Sequence, residues 1–137
     1  MKRLFLLLFF PLVLGCAATG QMSESDLIWQ DKTLNAPYKE IYNRIIKGFQ
    51  DCDWQNSYHV ENNLYPEISE VHFYIFSRSW DGEGKGGHVI GRIILKGSGD
   101  SETNIRAGVF PFWKDSKTGL RSSEWLKMAE GDYSWCK

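Results

Sequence analysis

The sequence predicts an α+β fold, an antiparallel three- to four-stranded sheet with an N-terminal and a C-terminal helix packed on one face. Apolar residues recur at intervals of three and four in residues 36–49 and 121–130, which is the period of an amphipathic helix. Between them, residues 69–79, 88–96 and 103–112 are rich in β-branched and aromatic residues and are separated by turns, as in hairpin-connected strands. Successive strands flanked by helices favour the α+β class.

The first predicted helix spans residues 36–49. Pro37 is favoured in the first turn of a helix, and Asn35 is a candidate N-cap. Gly48 is expected to weaken the last turn, because glycine is a poor helix former. The apolar stripe consists of Tyr38, Ile41, Ile45 and Phe49.

The strands follow this helix. Residues 54–60 predict a first strand, and Glu61, Asn62 and Asn63 predict a turn after it. Residues 69–79 predict the strongest strand, and residues 88–96 and 103–112 complete the sheet. In the strongest strand Val71, Phe73 and Ile75 face one way and His72, Tyr74 and Phe76 the other; in the next, Val89, Ile93 and Leu95 alternate with Ile90, Arg92, Ile94 and Lys96.

The second predicted helix spans residues 121–130. Ser122 or Ser123 can cap its start, and Gly131 is well placed to end it.

The N-terminus predicts a secretory leader. Lys2 and Arg3 precede an apolar run at residues 4–14, which is shorter than the roughly 20 residues needed to span a bilayer. The run ends in LVLGC at residues 12–16, followed by small residues. This stretch resembles the lipobox of bacterial lipoproteins.

The lipobox resemblance implies a lipid anchor at Cys16. In such lipoproteins the leader is cleaved before the cysteine, the thiol receives a diacylglycerol, and the new amino group is acylated, for example with palmitate. Several acyl chains at about 0.8 kcal/mol per buried CH₂ give a stable anchor. Ala17 in the second position implies the outer membrane, on the periplasmic side by default, and display on the cell surface is the alternative. The chain then divides into a signal peptide (1–15), a lipidated tether (16–26) and one α+β domain (27–137).

Two cysteines remain for the domain. Cys52 and Cys136 are expected to form a disulfide, because exported thiols meet an oxidising compartment. The bond requires residues 132–136 to turn back, since the two helices are expected to end at opposite ends of the sheet. A reactive thiol pair and a zinc site are the alternatives, but there is no C-x-x-C spacing and the histidines lack ligand spacing.

Other kinds of site have weaker support. The chain carries a net charge of −1, which argues against nucleic acid as a partner. The glycine-rich residues 81–87 are followed by a predicted strand, whereas a nucleotide-binding loop is followed by a helix. Carboxylates and histidines show no converging spacing, and no G-x-S-x-G occurs. We therefore predict no catalytic residues, metal or cofactor.

Aromatic residues mark a candidate partner-binding surface. If consecutive strands pair antiparallel, Trp80, Phe112 and Trp113 meet at one end of the sheet, with Trp54 nearby. Tryptophan is enriched among binding hot spots. The alternative is that Phe110, Phe112 and Trp113 close the core.

The sheet face away from the helices is a second candidate. It carries Tyr74 and Phe76 among basic residues, which suits a protein partner or lipid headgroups. The alternative is that residues 27–29 cover this face.

The domain is similar in outline to helix-grip domains, including those of lipoprotein accessory subunits in outer-membrane protein assembly. No functional residue is transferred from this similarity. The sequence predicts a lipid-anchored, non-enzymatic envelope protein that binds the membrane through its anchor and a protein partner through its aromatic surface. The alternatives are a module with an apolar cleft between helix and sheet for a lipid or small apolar ligand, and an inhibitor or enzyme acting on the cell wall.

Overall fold

The computed structural model describes residues 24–52, 58–77, 89–111 and 122–136. These residues form five strands and two helices, which confirms the predicted α+β class. In chain order the elements are β1 (Ile28–Leu34), α1 (Tyr38–Asp51), β2 (Tyr58–Tyr65), β3 (Glu70–Ser77), β4 (Val89–Gly97), β5 (Thr103–Val109) and α2 (Ser122–Glu130). Short 3₁₀ turns lie at Glu24–Asp26 and Pro66–Ile68.

The strands form one antiparallel sheet in the order β1-β5-β4-β3-β2. Four consecutive strands pair as a meander, and β1 returns to the edge beside β5. Helix α1 connects the two edge strands. The central strand is therefore β4, with two strands on each side.

Both helices pack on one face of the sheet, as the sequence predicts. Ile41, Ile45 and Phe49 of α1 are buried against Phe73 and Ile93 of the sheet in one apolar cluster. The start of α1 is fixed by a buried hydrogen bond, in which the Thr103 hydroxyl donates to the Ala36 carbonyl at 2.7 Å. Because Pro37 is the N-cap and no side chain caps the helix, Asn35 is not its cap.

Two glycines allow the layers to approach closely. A Cβ on Gly48 would lie 2.7 Å from Met128 Cγ, so this residue is the crossing point of α1 and α2. A Cβ on Gly91 would lie 2.1 Å from the Trp125 ring, which packs directly on the β4 backbone. Gly48 therefore serves the packing of the two helices, and α1 continues past it to Asp51.

The sheet has one strand more than the predicted maximum. Ile28–Leu34 forms β1, although its sequence IWQDKTL mixes apolar and charged residues. The predicted turn at Glu61, Asn62 and Asn63 is wrong, because these residues lie within β2. Both are edge strands, and polar residues are tolerated at an edge because one side of the strand stays in solvent.

Ile90 does not lie on the face predicted for it. The pairing of β3 with β4 shifts between Ile75 and Phe76, which pair with Gly91 and Val89 respectively. Ile90 is the additional residue of this bulge, and its side chain is buried in the apolar cluster. Val89 pairs with Phe76 and therefore lies on the other face, away from Ile93 and Leu95. Strict alternation across residues 88–96 thus fails at Val89 and Ile90.

The C-terminal segment turns back along α1, as the predicted disulfide requires. Gly131 has φ +82°, and Gly131 N–H and Asp132 N–H donate to the carbonyls of Met128 and Lys127, which is the Schellman arrangement. The Tyr133 hydroxyl then donates to the Arg44 carbonyl at 2.9 Å.

The predicted disulfide is confirmed by this path. Cys52 directly follows α1, and the returning segment brings Cys136 to it with the two Cα atoms 5.1 Å apart.

Candidate functional site

The candidate site is the sheet face that points away from both helices, which we name the open face. Alternation along the strands and the observed register place the same side of each strand on it. Its residues are Trp29, Asp31 and Thr33 of β1, His59, Glu61, Asn63 and Tyr65 of β2, Glu70, His72, Tyr74 and Phe76 of β3, Val89, Arg92, Ile94 and Lys96 of β4, and Asn104, Arg106 and Gly108 of β5.

Arg92 is the centre of this face. Its guanidinium stacks over the Tyr74 ring, 4.9 Å from the centroid, and Nη2 donates to the Tyr74 hydroxyl at 3.2 Å. On the other side, Nη1 pairs with Glu24 Oε1 from the N-terminal 3₁₀ turn. The Arg92 side chain is only 14% exposed, against 57% for Glu24. The open face thus contains a shielded cation held by a solvent-facing carboxylate.

Burial also affects the pKa of Arg92. Desolvation lowers the pKa of its guanidinium below the ordinary value, although arginine remains protonated at neutral pH. Arg92 Nε is buried, and it lacks a hydrogen-bond partner among the residues that the structure describes. Its charge is therefore neutralised mainly through Glu24.

His72 continues the polar cluster. Arg92 Nη2 donates to His72 Nδ1 at 2.7 Å, and a guanidinium can only donate. His72 Nδ1 must then be the acceptor, which leaves the proton on Nε2 for the bond to Glu70 Oε1. The Tyr65 ring packs edge-on against His72 at 5.2 Å between centroids. His72 therefore bridges the Arg92 guanidinium and the Glu70 carboxylate through its two ring nitrogens.

Trp29 covers the neighbouring part of the open face. It lies directly opposite Gly108 in the register, and a Cβ on that glycine would lie 2.7 Å from the indole ring. The Arg106 guanidinium lies over the indole at 4.7 Å and donates to Asp31 Oδ1 at 3.0 Å. Residues 27–29 therefore cover only part of the face, and of these Ile28 and Trp29 belong to the edge strand β1.

The structure locates two of the predicted partner-binding residues. Tyr74 and Phe76 both lie half-buried on the open face. The ends of β3, β4 and β5 meet as expected, and Phe110 N–H donates to the Ile90 carbonyl at 3.0 Å. The residues predicted at that end, together with the lipid attachment site, lie outside the described residues: Cys16, Trp54, Trp80, Phe112 and Trp113.

Sequence reasoning missed the pairing of Glu24 with Arg92 and the packing of Trp29 on Gly108. Each joins the N-terminal segment to a strand more than 60 positions away, so no local period reveals it. The available signals were a glycine inside a predicted strand, which marks a close approach, and an arginine among apolar residues. The face is also less basic than predicted, because Arg92 and Arg106 are paired with carboxylates.

The described ranges contain no group of three or more His, Cys, Asp or Glu residues that could hold a metal ion. None of their helices is long and apolar enough to cross a membrane.

Comparisons of the chain with protein-family models, curated proteins and solved structures find no match.

Proposed function

We propose that this chain is a lipid-anchored, non-enzymatic protein of the bacterial outer membrane, on the periplasmic side, and that it acts as a binding or accessory module. The observation that carries the proposal is the leader that ends in LVLGC at residues 12–16. A thiol at this position accepts the diacylglycerol of bacterial lipoproteins. The oxidised Cys52–Cys136 pair supports export, because disulfides persist in oxidising compartments.

The proposed binding surface has two parts. At one end of the sheet we expect Trp54, Trp80, Phe112 and Trp113, which supply aromatic residues for a protein partner. The open face adds Tyr74 and Phe76 beside the shielded Arg92. Large aromatic side chains supply much contact area for little loss of rotamer entropy, and they are enriched at interfaces.

The alternative of an apolar cleft between helix and sheet has less support. Trp125 and Met128 are fully buried and lie directly against the backbone of Gly91 and Gly48. A cleft at these positions would need the helices to separate from the sheet. The cell-wall enzyme or inhibitor has no observation in its favour on the described surface.

Mass analysis tests the anchor. The full chain is expressed with its leader in a bacterium, and the membrane-extracted protein is compared with a Cys16→Ser variant. We expect a mature chain that begins at Cys16 and carries a diacylglycerol and an N-linked acyl chain, and an unacylated variant. A wild-type chain that begins elsewhere or lacks acylation would refute the proposal.

Photo-crosslinking in cells tests the binding surface. A photoreactive residue in place of Trp113 or Trp80 is compared with one in place of Ile68, an exposed apolar residue at the other end of the sheet. We expect the same envelope protein to be captured from positions 80 and 113. Capture from position 68 alone would place the interface elsewhere.

A further inference from the structure

The chain enters the domain over the middle of the open face. Glu24 is the first residue that the structure describes, and its carboxylate pairs with Arg92 on the central strand β4. The Trp29 indole N–H donates to the Glu24 carbonyl at 3.0 Å, which fixes the same residue from the side of β1. The tether thus joins the domain above the centre of this face.

The reach of the tether is short. Cys16 precedes Glu24 by eight positions, and a fully extended chain of that length spans at most about 28 Å. A lipid at Cys16 therefore keeps the centre of the open face within this distance of the bilayer.

The helix side of the domain is harder to bring to the bilayer. A tether leading there must first cross two strand spacings to an edge of the sheet, about 10 Å. It must then pass the sheet and a helix of roughly 10 Å diameter. This route uses most of the available length, whereas the open face needs almost none of it.

A globular partner fits poorly between the open face and the bilayer. A domain of about 100 residues has a radius of gyration near 13 Å, so it is roughly 30 Å across. This width matches the fully extended tether and leaves it no slack. The length of the tether therefore favours the membrane surface as the occupant of the open face.

The chemistry of the open face suits lipid headgroups. Trp29, Tyr65 and Tyr74 combine an apolar ring with a polar group, and such residues are enriched at membrane interfaces. Its arginines are paired, Arg92 with Glu24 and Arg106 with Asp31, so the face has no strong positive field. Contact with neutral headgroups is accordingly favoured over attraction to anionic lipid.

We propose that the open face of the sheet rests on the phospholipid headgroup layer, held there by the Glu24–Arg92 pair, while the two helices point away from the membrane. This inference rests on the proposed function, because the reach is measured from a lipid at Cys16. It assigns the open face, with Tyr74 and Phe76, to lipid instead of a protein partner. The protein partner is then left with the end of the sheet at which Trp54, Trp80, Phe112 and Trp113 are expected.

Lipid crosslinking tests the orientation. The acylated mature protein, beginning at Cys16, is reconstituted into phosphatidylcholine vesicles. It carries p-benzoylphenylalanine in place of Lys96, which is exposed on the open face, or of Gln50, which is exposed on α1. We expect at least tenfold more lipid adduct at position 96, measured by mass spectrometry. Equal adducts at both positions, or more at position 50, would overturn the proposal. Crosslinking in cells that gives protein adducts but no lipid adducts at position 96 would also overturn the proposal.

A matched pair of variants tests the role of Glu24. Glu24→Ala removes the partner of Arg92, and Glu61→Ala removes another exposed carboxylate of the open face that pairs only with His59 among the described residues. We expect the adduct ratio between positions 96 and 50 to fall several-fold in Glu24→Ala and to stay unchanged in Glu61→Ala. An unchanged ratio in Glu24→Ala would contradict the role of this pair.

The mass of the same samples separates this inference from the proposed function. An unacylated product contradicts the proposed function. Cys16 is then coupled to a maleimide phospholipid, and the same ratio tests the orientation on its own. A tenfold ratio in that preparation supports the orientation, and a ratio near one overturns it.

Discussion

On each face of the sheet a tryptophan ring packs on a glycine, but the two contacts have different results. On the covered face the Trp125 ring packs on Gly91 of β4, and on the open face the Trp29 ring packs on Gly108 of β5. Trp125 is fully buried because α2 holds it between the layers. Trp29 belongs to an edge strand and stays partly exposed under Arg106. A tryptophan over a glycine therefore stabilises the core in one case and shapes a surface in the other.

Truncation of the two tryptophans gives the largest expected contrast. Trp125→Ala leaves a cavity between α2 and β4, and large buried aromatics cost about 3–5 kcal/mol when truncated to alanine. Trp29→Ala removes a cross-strand contact at the surface, and such pairs contribute about 0.2–1 kcal/mol. Urea unfolding of both variants measures the difference. Similar losses of unfolding free energy would mean that the open face is packed as a second core.

The disulfide is expected to stabilise the whole domain against global unfolding, while its direct effect on local structure stays in the helix layer. Cys52 and Cys136 are 84 positions apart, and the chain-entropy estimate for a loop of this length is roughly 4–5 kcal/mol, with measured values more often about 2–4 kcal/mol. The Cys52→Ser/Cys136→Ser double variant should lose free energy of unfolding in that range. In the double variant, native-state hydrogen exchange should become faster in residues 131–136 through local opening. The amides of β1 and β5 should still exchange only through global unfolding. Faster exchange first at Trp29 would contradict this separation.

Substitution of the two glycines tests the contrast on a smaller scale. Gly91→Ala places a methyl group 2.1 Å from a ring that the core holds in place, and overpacking typically costs about 1–3 kcal/mol. Gly108→Ala meets the Trp29 ring at 2.7 Å, but this ring can move outward, and we expect a loss below about 1 kcal/mol. The ratio of the two losses in urea unfolding is the measurement. A larger loss at Gly108 would show that Trp29 is fixed as firmly as Trp125.

The covered face was largely predictable from the sequence because its signals are local. The spacing of Ile41, Ile45 and Phe49 and the alternation of Val71, Phe73 and Ile75 each identify a buried face within one element. Gly131 predicted the end of α2, and this is also a local signal. These residues lie where the periods place them.

The open face was less predictable because its contacts are distant in sequence. Ile28–Leu34 is a strand through its pairing with β5, since the alternation of its own residues is interrupted by charge. The position of Ile90 depends on a bulge that the partner strand defines. Edge strands and bulges are set by tertiary context, which overrides local propensity.

The smallest expected effect is a pH dependence in the turn after α2. The Ser134 hydroxyl and backbone N–H donate to the Asp132 carboxylate and lower its pKa below the ordinary value. A carboxylate with a lower pKa in the folded state adds stability above its unfolded pKa of about 3.9, and this stability is lost as the pH falls through the folded value. The stability difference between wild type and Asp132→Asn should therefore favour wild type at pH 6 and shrink below pH ~4.

Ser134→Ala is the matched control for this turn. It removes the hydroxyl donor and keeps the backbone N–H donor, so its loss should be smaller and should fade over the same pH range. Because the turn lies on the helix layer beside Tyr133 and α1, the fluorescence of Trp29 on the other face should not follow this titration. A pH-independent difference for Asp132→Asn would mean that the carboxylate charge does not stabilise the turn. A Trp29 signal that follows the titration would instead show that the two faces are coupled through the sheet.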